Sequence, residues 1–271
     1  ADCYNQFGTQ MVGVGSPREY RPRAAAEAIQ ALQIDPLSAE AHAALGYVRH
    51  YDWQWADAET ELRRAIALNP SYPFAHIWYA NLLMSRKRID EAMRQVYAAR
   101  EIDPFSLIVN TNVGWVLNAA RRYDDAIVQL TRTLELDSTY TQARWRLADA
   151  LAGAGRYDDA LAQAERLVRV SGRSGPSLAE LGSILVRAGK VGEARAVLAE
   201  LVERSRREYI PPSSIGGLYQ DLGDLNGALP WMTAAVAEHG NAIAYLNLDD
   251  RNPSLVRDPR FLAVLARAGY R

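Results

Sequence analysis

Of the 271 residues one is cysteine, Cys3. A single thiol can form no intramolecular disulfide and no cysteine-based zinc site, and near the chain start it reads as an incidental small apolar residue rather than a nucleophile. Lysine is almost as scarce, with Lys87 and Lys190 the only two among 31 basic residues, an arginine bias that points to a GC-rich bacterial genome. Neither sign of charge is in excess: 31 Lys+Arg against 32 Asp+Glu leave a net charge of -1. That balance implies no general attraction to nucleic acid or to an anionic membrane.

Long apolar runs are missing too. No stretch approaches the 18 or so uninterrupted apolar residues of a spanning helix, so no membrane insertion is expected. The start, Ala1-Asp2-Cys3-Tyr4-Asn5, has no charged-then-apolar signal pattern, and the cytoplasm is expected in preference to the periplasm. The absence of an initiator methionine points to a processed or excised piece. The four histidines, His42, His50, His76 and His239, include no pair at i,i+4 with a carboxylate, so no metal site is expected. Gly172-Arg173-Ser174-Gly175 does not meet the Gly-x-Ser-x-Gly pattern of a nucleophile elbow. The glycine-rich run from Met11 to Pro17 lacks the Lys-Ser/Thr ending of a phosphate loop and reads as a connection between helices. No catalytic residue and no cofactor are expected, and an enzyme is the reading with the least support.

What the chain does have is a period. Alanine recurs at Ala24, Ala58, Ala92, Ala126, Ala160, Ala194 and Ala228, each 34 residues after the last. A second column in the same phase is small, Gly46, Ala80, Gly114, Ala148, Gly182 and Gly216, and each member follows a large residue. Large beside small means interlocking helices. Units end in Ile34-Asp35-Pro36, Leu68-Asn69-Pro70 and Ile102-Asp103-Pro104, where proline stops a helix, while Ser138 and Gly172 replace it later. Within a unit, Ala120-Arg121-Arg122-Tyr123-Asp124-Asp125-Ala126 marks a break between two helices, with Asp124, and Asp158 in the next unit, as expected N-caps. His42 and His76, also 34 apart, are expected to be structural.

Leu45-Gly46, Trp55, Ala58, Leu62, Ala65 and Pro70 sit where tetratricopeptide repeats carry their packing residues, and the chain resembles that family over nearly its whole length. The resemblance implies an all-α, right-handed superhelical solenoid of about seven helix-turn-helix repeats with a C-terminal capping helix. Residues 1–36 read as an irregular N-terminal repeat with its second helix over Ala24 to Ile34. Residues 37–172 read as four regular repeats, 173–240 as two divergent ones, and 241–271 as a cap over the last repeat. Ser171 to Pro176 is the most linker-like stretch. Tyr51-Asp52-Trp53-Gln54-Trp55, Asn110 to Leu117 and Arg257-Asp258-Pro259-Arg260-Phe261 are similar to segments of the C-terminal repeat regions of bacterial multidomain regulators, those joined to winged-helix, Ser/Thr kinase or adenylate cyclase domains. That similarity implies a docking or sensing region.

Tetratricopeptide repeats turn the second, fifth, ninth, twelfth and thirteenth residues of each first helix toward the concave groove. On this sequence the resemblance places Tyr47, His50, Tyr51, Asn81, Met84, Thr111, Trp115, Asn118, Trp145 and Asp149 there, with Asn112 beside them. Aromatic rings beside amides suit an extended peptide, whose apolar groups the rings cover and whose backbone the amides can bond. Trp115 and Trp145 are the largest side chains on that face, either groove anchors or packing residues against the next repeat. Asn81 matches a groove asparagine of repeats that clamp a C-terminal carboxylate, but Ala43 and Ile77 stand where a clamp lysine is expected, which speaks against chaperone-tail recognition. The expected function is non-catalytic binding of a protein or peptide segment in the groove. The alternatives are a small-molecule sensor using the same groove and self-association near Phe7 and Met11; the oligomeric state is left open.

Overall fold

The structure, a computed structural model, describes residues 16–246, 248 and 254–270. Every regular element in them is a helix. Helix α1 (Pro17–Ile34) precedes six helical pairs: α2 (Ala39–Tyr51) with α3 (Trp55–Leu68), α4 (Pro73–Ser85) with α5 (Ile89–Ile102), and α6 (Leu107–Ala119) with α7 (Tyr123–Leu136). Then come α8 (Thr141–Gly153) with α9 (Tyr157–Val170), α10 (Gly175–Arg187) with α11 (Val191–Arg204), and α12 (Pro212–Asp221) with α13 (Leu225–Ala237). A 3₁₀ turn (Asn241–Tyr245) and two short helices, α14 (Ser254–Arg257) and α15 (Pro259–Arg267), follow. The pairs are six rather than seven, because α1 stands without a partner among the described residues and begins at Pro17, before the expected Ala24. The rest of the irregular first repeat, most of the glycine-rich run, and Phe7 and Met11 lie outside the described residues.

The local signals explain where helices start and stop. Ser38, Ser106 and Ser174 cap α2, α6 and α10, each hydroxyl accepting from the backbone N–H three residues on. Ahead of the first helices, Asp35, Asn69 and Asp137 bend the chain by accepting, through the side chain, from the N–H two residues later. The second helices begin differently from expectation. Arg122 and Arg156 occupy the N-cap positions of α7 and α9, so Asp124 and Asp158 fall inside the first turn and are not the N-caps. They still stand at the positive helix end, and the neighbouring Asp125 and Asp159 pair with those arginines at 2.7 Å.

Packing follows the columns read from the sequence. All seven periodic alanines are fully buried. Each second helix buries a narrow stripe, as in Ala58, Leu62 and Ala65 of α3 or Ala92, Val96 and Ala99 of α5. The first helices pack on one another in series, α2 on α4, α4 on α6, α6 on α8, α8 on α10 and α10 on α12, which sets them on the inner side of the superhelix. Linker-like Ser171 to Pro176 is a tight turn, with Gly172 and Arg173 both at positive φ. A new apolar cluster around Val168, Leu178, Leu201 and Leu218 begins there.

The two ends of the superhelix meet. Arg21 of α1 is 3% exposed. Its guanidinium donates to Tyr51 O and Asp52 Oδ1 at 3.1 Å and to His239 O and Asn241 Oδ1 at 2.6 Å. Trp53, in the turn of the first pair, stacks on the His239 ring at 4.2 Å and belongs to one cluster with Met232, Ile243, Phe261 and Leu265. Helix α15 does pack on α13, as a cap on the last repeat should. The segment before it does something else, since the 3₁₀ turn lies against α2 and α4, the first two inner helices.

Candidate functional site

The inner helices and the returning segment together line a partly open cavity of about 500 Å³. Residues three and four apart share a helix face, so α6 presents Thr111, Trp115 and Asn118 inward, and α8 presents Gln142, Trp145, Arg146 and Asp149. Helices α2 and α4 add Tyr47, Tyr51, Trp78 and Asn81, and α10 adds Arg187. The opposite wall is the chain's own Asn241, Ala242, Tyr245 and Leu246. The Tyr245 hydroxyl meets that of Tyr51 at 2.9 Å, and its ring stands edge-on to Trp115 at 5.0 Å.

Tyr47, Tyr51, Asn81, Thr111, Asn112, Trp115, Asn118, Trp145 and Asp149 all line this cavity. His50 and Met84 do not: Met84 is fully buried in the core, and His50 is buried with its Nε2 against Ser85 Oγ at 3.1 Å. Trp115 faces the cavity and also packs, touching Tyr245 and Arg146. Arg146, Arg187 and Tyr245 were not foreseen. Arg146 follows Trp145 directly but is not at one of the five family groove positions, and Tyr245 lies beyond the period, so only three-dimensional closure brings it in.

Among the described residues the lining is cationic. The described residues that line the cavity include three arginines, Arg121, Arg146 and Arg187, and one carboxylate, Asp149. Asp149 is engaged by Asn118 at 2.7 Å and by Arg187 at 3.2 Å. The Arg146 guanidinium lies 3.9 Å from the Trp115 ring centre, and burial pulls its pKa down against the opposing pull of Asp149 and Glu180. Burial raises the pKa values of Tyr47, Tyr51 and Tyr245, keeping the phenols protonated. His50 is pushed down to about 3, first by burial and then by the Arg21 charge. Two buried polar atoms on the wall, Asn81 Oδ1 and Thr111 Oγ1, have no hydrogen-bond partner. Among the described residues no group of three or more His, Cys, Asp or Glu side chains is placed to hold a metal. No helix among them is long and apolar enough to cross a membrane.

Residues 54–108 and 117–181 match the family model described as tetratricopeptide repeat. The fold is a tetratricopeptide-like solenoid. Solved structures of such solenoids align over most of its length. A tetratricopeptide repeat protein from Parabacteroides merdae aligns with a TM-score of 0.63 at 15% identity, over 92% of this chain and 98% of its own. PilW, a type IV pilus biogenesis factor, aligns at 0.58 and 18% identity, over 84% and 98%. Pseudomonas aeruginosa pilF aligns at 0.53 and 25% identity, over 80% and 95%. No curated protein sequence matches the chain. Tetratricopeptide solenoids serve in general as protein-interaction scaffolds, and here the concave side of the solenoid is partly filled by its own C-terminal segment.

Proposed function

We propose that this solenoid is a non-catalytic sensing module, which holds a compact ligand inside the chamber and carries protein contacts on its outer faces. The observation behind this reading is the closure. Arg21 ties α1 to Tyr51, Asp52, His239 and Asn241, so the concave side becomes a walled cavity of about 500 Å³, within the range of small-molecule sites. An extended peptide running from Tyr47 to Asp149 would have to displace Tyr245. The sensing role agrees with the resemblance to repeat regions of bacterial regulators, in which a ligand would change the curvature of the solenoid.

The test is native mass spectrometry of the purified chain with a panel of aromatic acids, amides, amines and sugars, beside Trp115→Ala and Trp145→Ala. One-to-one adducts that disappear in either variant support the chamber.

A second reading, docking of a protein segment, draws on one observation. The chain's own Asn241–Tyr245 turn already places an aromatic side chain between Tyr51 and Trp115. A displayed peptide library that enriches a shared motif on the intact chain, and not on an Asn81→Ala/Trp115→Ala/Trp145→Ala variant that is still helical, would move the assignment to docking.

A further inference from the structure

Resting on the chamber reading, we propose that the ligand is a free aromatic acid whose ring lies in the tryptophan-lined part of the cavity and whose carboxylate pairs with Arg146. Three separate features of the wall specify that chemistry. The first is shape and surface: Trp78, Trp115, Trp145 and Tyr245 give the cavity aromatic sides, which favour a planar apolar body.

The second is charge. Among the described lining residues are three guanidinium groups and the carboxylate of Asp149, which Asn118 and Arg187 engage, while Glu180 acts on Arg146 from outside the lining. The Arg146 guanidinium carbon lies over the Trp115 ring, and the group makes no hydrogen bond or ion pair with any described residue. A guanidinium over a ring with no such partner has its N–H groups available for an anion, which it can bind in a two-pronged fashion.

The third is the pair of orphan atoms. Asn81 Oδ1 and Thr111 Oγ1 are buried on the same wall without a partner, and leaving such atoms unmade is costly. Asn81 Oδ1 accepts only, so it calls for an N–H or O–H on the ligand, and the Thr111 hydroxyl can join the same group. A ring with one donor and a short acidic arm answers all three features. Closure by the chain's own segment favours a free molecule over a polypeptide.

Isothermal titration with indole-3-acetate, indole-3-acetamide, tryptamine and phenylacetate tests this on the intact chain. The acid is expected to bind at least tenfold more tightly than its amide, and the amine not to bind. Phenylacetate, which lacks the ring donor, should be weaker than indole-3-acetate. Arg146→Gln should bring acid and amide to parity, and Arg146→Lys should keep part of the preference, each with an unchanged far-ultraviolet circular dichroism spectrum. Should the glutamine variant fail to fold, the acid-to-amide ratio of the unaltered chain and of Arg146→Lys decides. Equal binding of acid and amide, lost in Trp115→Ala, would overturn the acid assignment and leave the chamber standing. Absence of binding by every probe to millimolar concentration, together with no adduct in native mass spectrometry, would overturn both.

Discussion

Single residues show where this solenoid departs from the simplest chemistry of its fold. The turn inside each pair falls on Trp53, Lys87, Arg121, Gly155, Gly189 and Gly223, spaced by the repeat, and all six have positive φ. A non-glycine residue there costs about 1–2 kcal/mol. Trp53 has a return for it in its stack on His239, whereas Lys87 is exposed. Lys87→Gly is therefore expected to stabilise by about 1 kcal/mol, raising the melting temperature by roughly 2–4 °C, and Trp53→Gly to lower it; thermal denaturation of both separates them. The positive φ was legible at Gly155, because glycine announces it, and illegible at Arg121, where the sequence shows only a break. His50 makes a second prediction. Its folded pKa of about 3 lies below the ordinary 6.5, so the unfolded chain binds the extra proton between those values. Its contribution to stability is then complete above pH 6.5 and is lost as pH falls toward 3, with a slope approaching ~1.4 kcal/mol per pH unit. Urea denaturation between pH 7 and 5 should show a shallower slope for His50→Gln; an identical slope would contradict the assignment.

At the scale of helices and turns, one hydrogen-bonded column repeats with the chain. His42, His76, Asn110 and Arg144 each reach back to the carbonyl six residues earlier, on Pro36, Pro70, Pro104 and Ser138. Each also meets the side chain nineteen residues later, on Glu61, Gln95, Gln129 and Gln163. The staple ties the loop before a first helix to the second helix of the same pair. In the sequence the two histidines were readable as one structural column, but asparagine and arginine were not, since what the four share is reach and donor geometry rather than residue type. Leu178 and Val197 hold the next positions, and the column ends where the repeats diverge. Asn110→His is expected to keep the staple, and Asn110→Leu to cost on the order of 1 kcal/mol or somewhat more, measured by chemical denaturation. The small column was legible for the opposite reason, that size alone defines it. A Cβ on Gly46 would stand 2.6 Å from Leu62 Cγ, and one on Gly114 2.4 Å from Leu130 Cγ, whereas the second pair sets Ala80 with Val96. Gly46→Ala should cost about 1–3 kcal/mol from overpacking, and the double change Gly46→Ala/Leu62→Val should recover part of it, the non-additivity that contact predicts.

For the whole molecule the decisive feature is that a quasi-linear fold has been joined end to end. An open solenoid has only neighbour contacts and can fray from either terminus, but Arg21 is bonded to His239 and Asn241, more than two hundred residues away. Nothing in the period foretold this. Arg21 and Tyr245 match no repeat column, and Tyr245 faces the groove only because the last pair brings the chain back to the first. The same closure explains why α4 is buried from Ala75 through Ser85, when a groove helix facing solvent would keep one polar side. It also makes the chamber and the stability of the ends a single property. In Arg21→Met the carbonyls of Tyr51 and His239 and the Asn241 side chain lose a charged donor, a cost of about 3 kcal/mol or more if they stay buried. The less costly outcome is opening, with water reaching those groups. Small-angle scattering should then show a larger radius of gyration for Arg21→Met, and denaturation a broader transition as the terminal pairs melt ahead of the centre. If the radius and the sharpness of the transition both stay as they are, the apolar cluster of Trp53, Met232, Phe261 and Leu265 holds the ring without Arg21, and the same measurements on Phe261→Ala, also destabilising, should then show the opening.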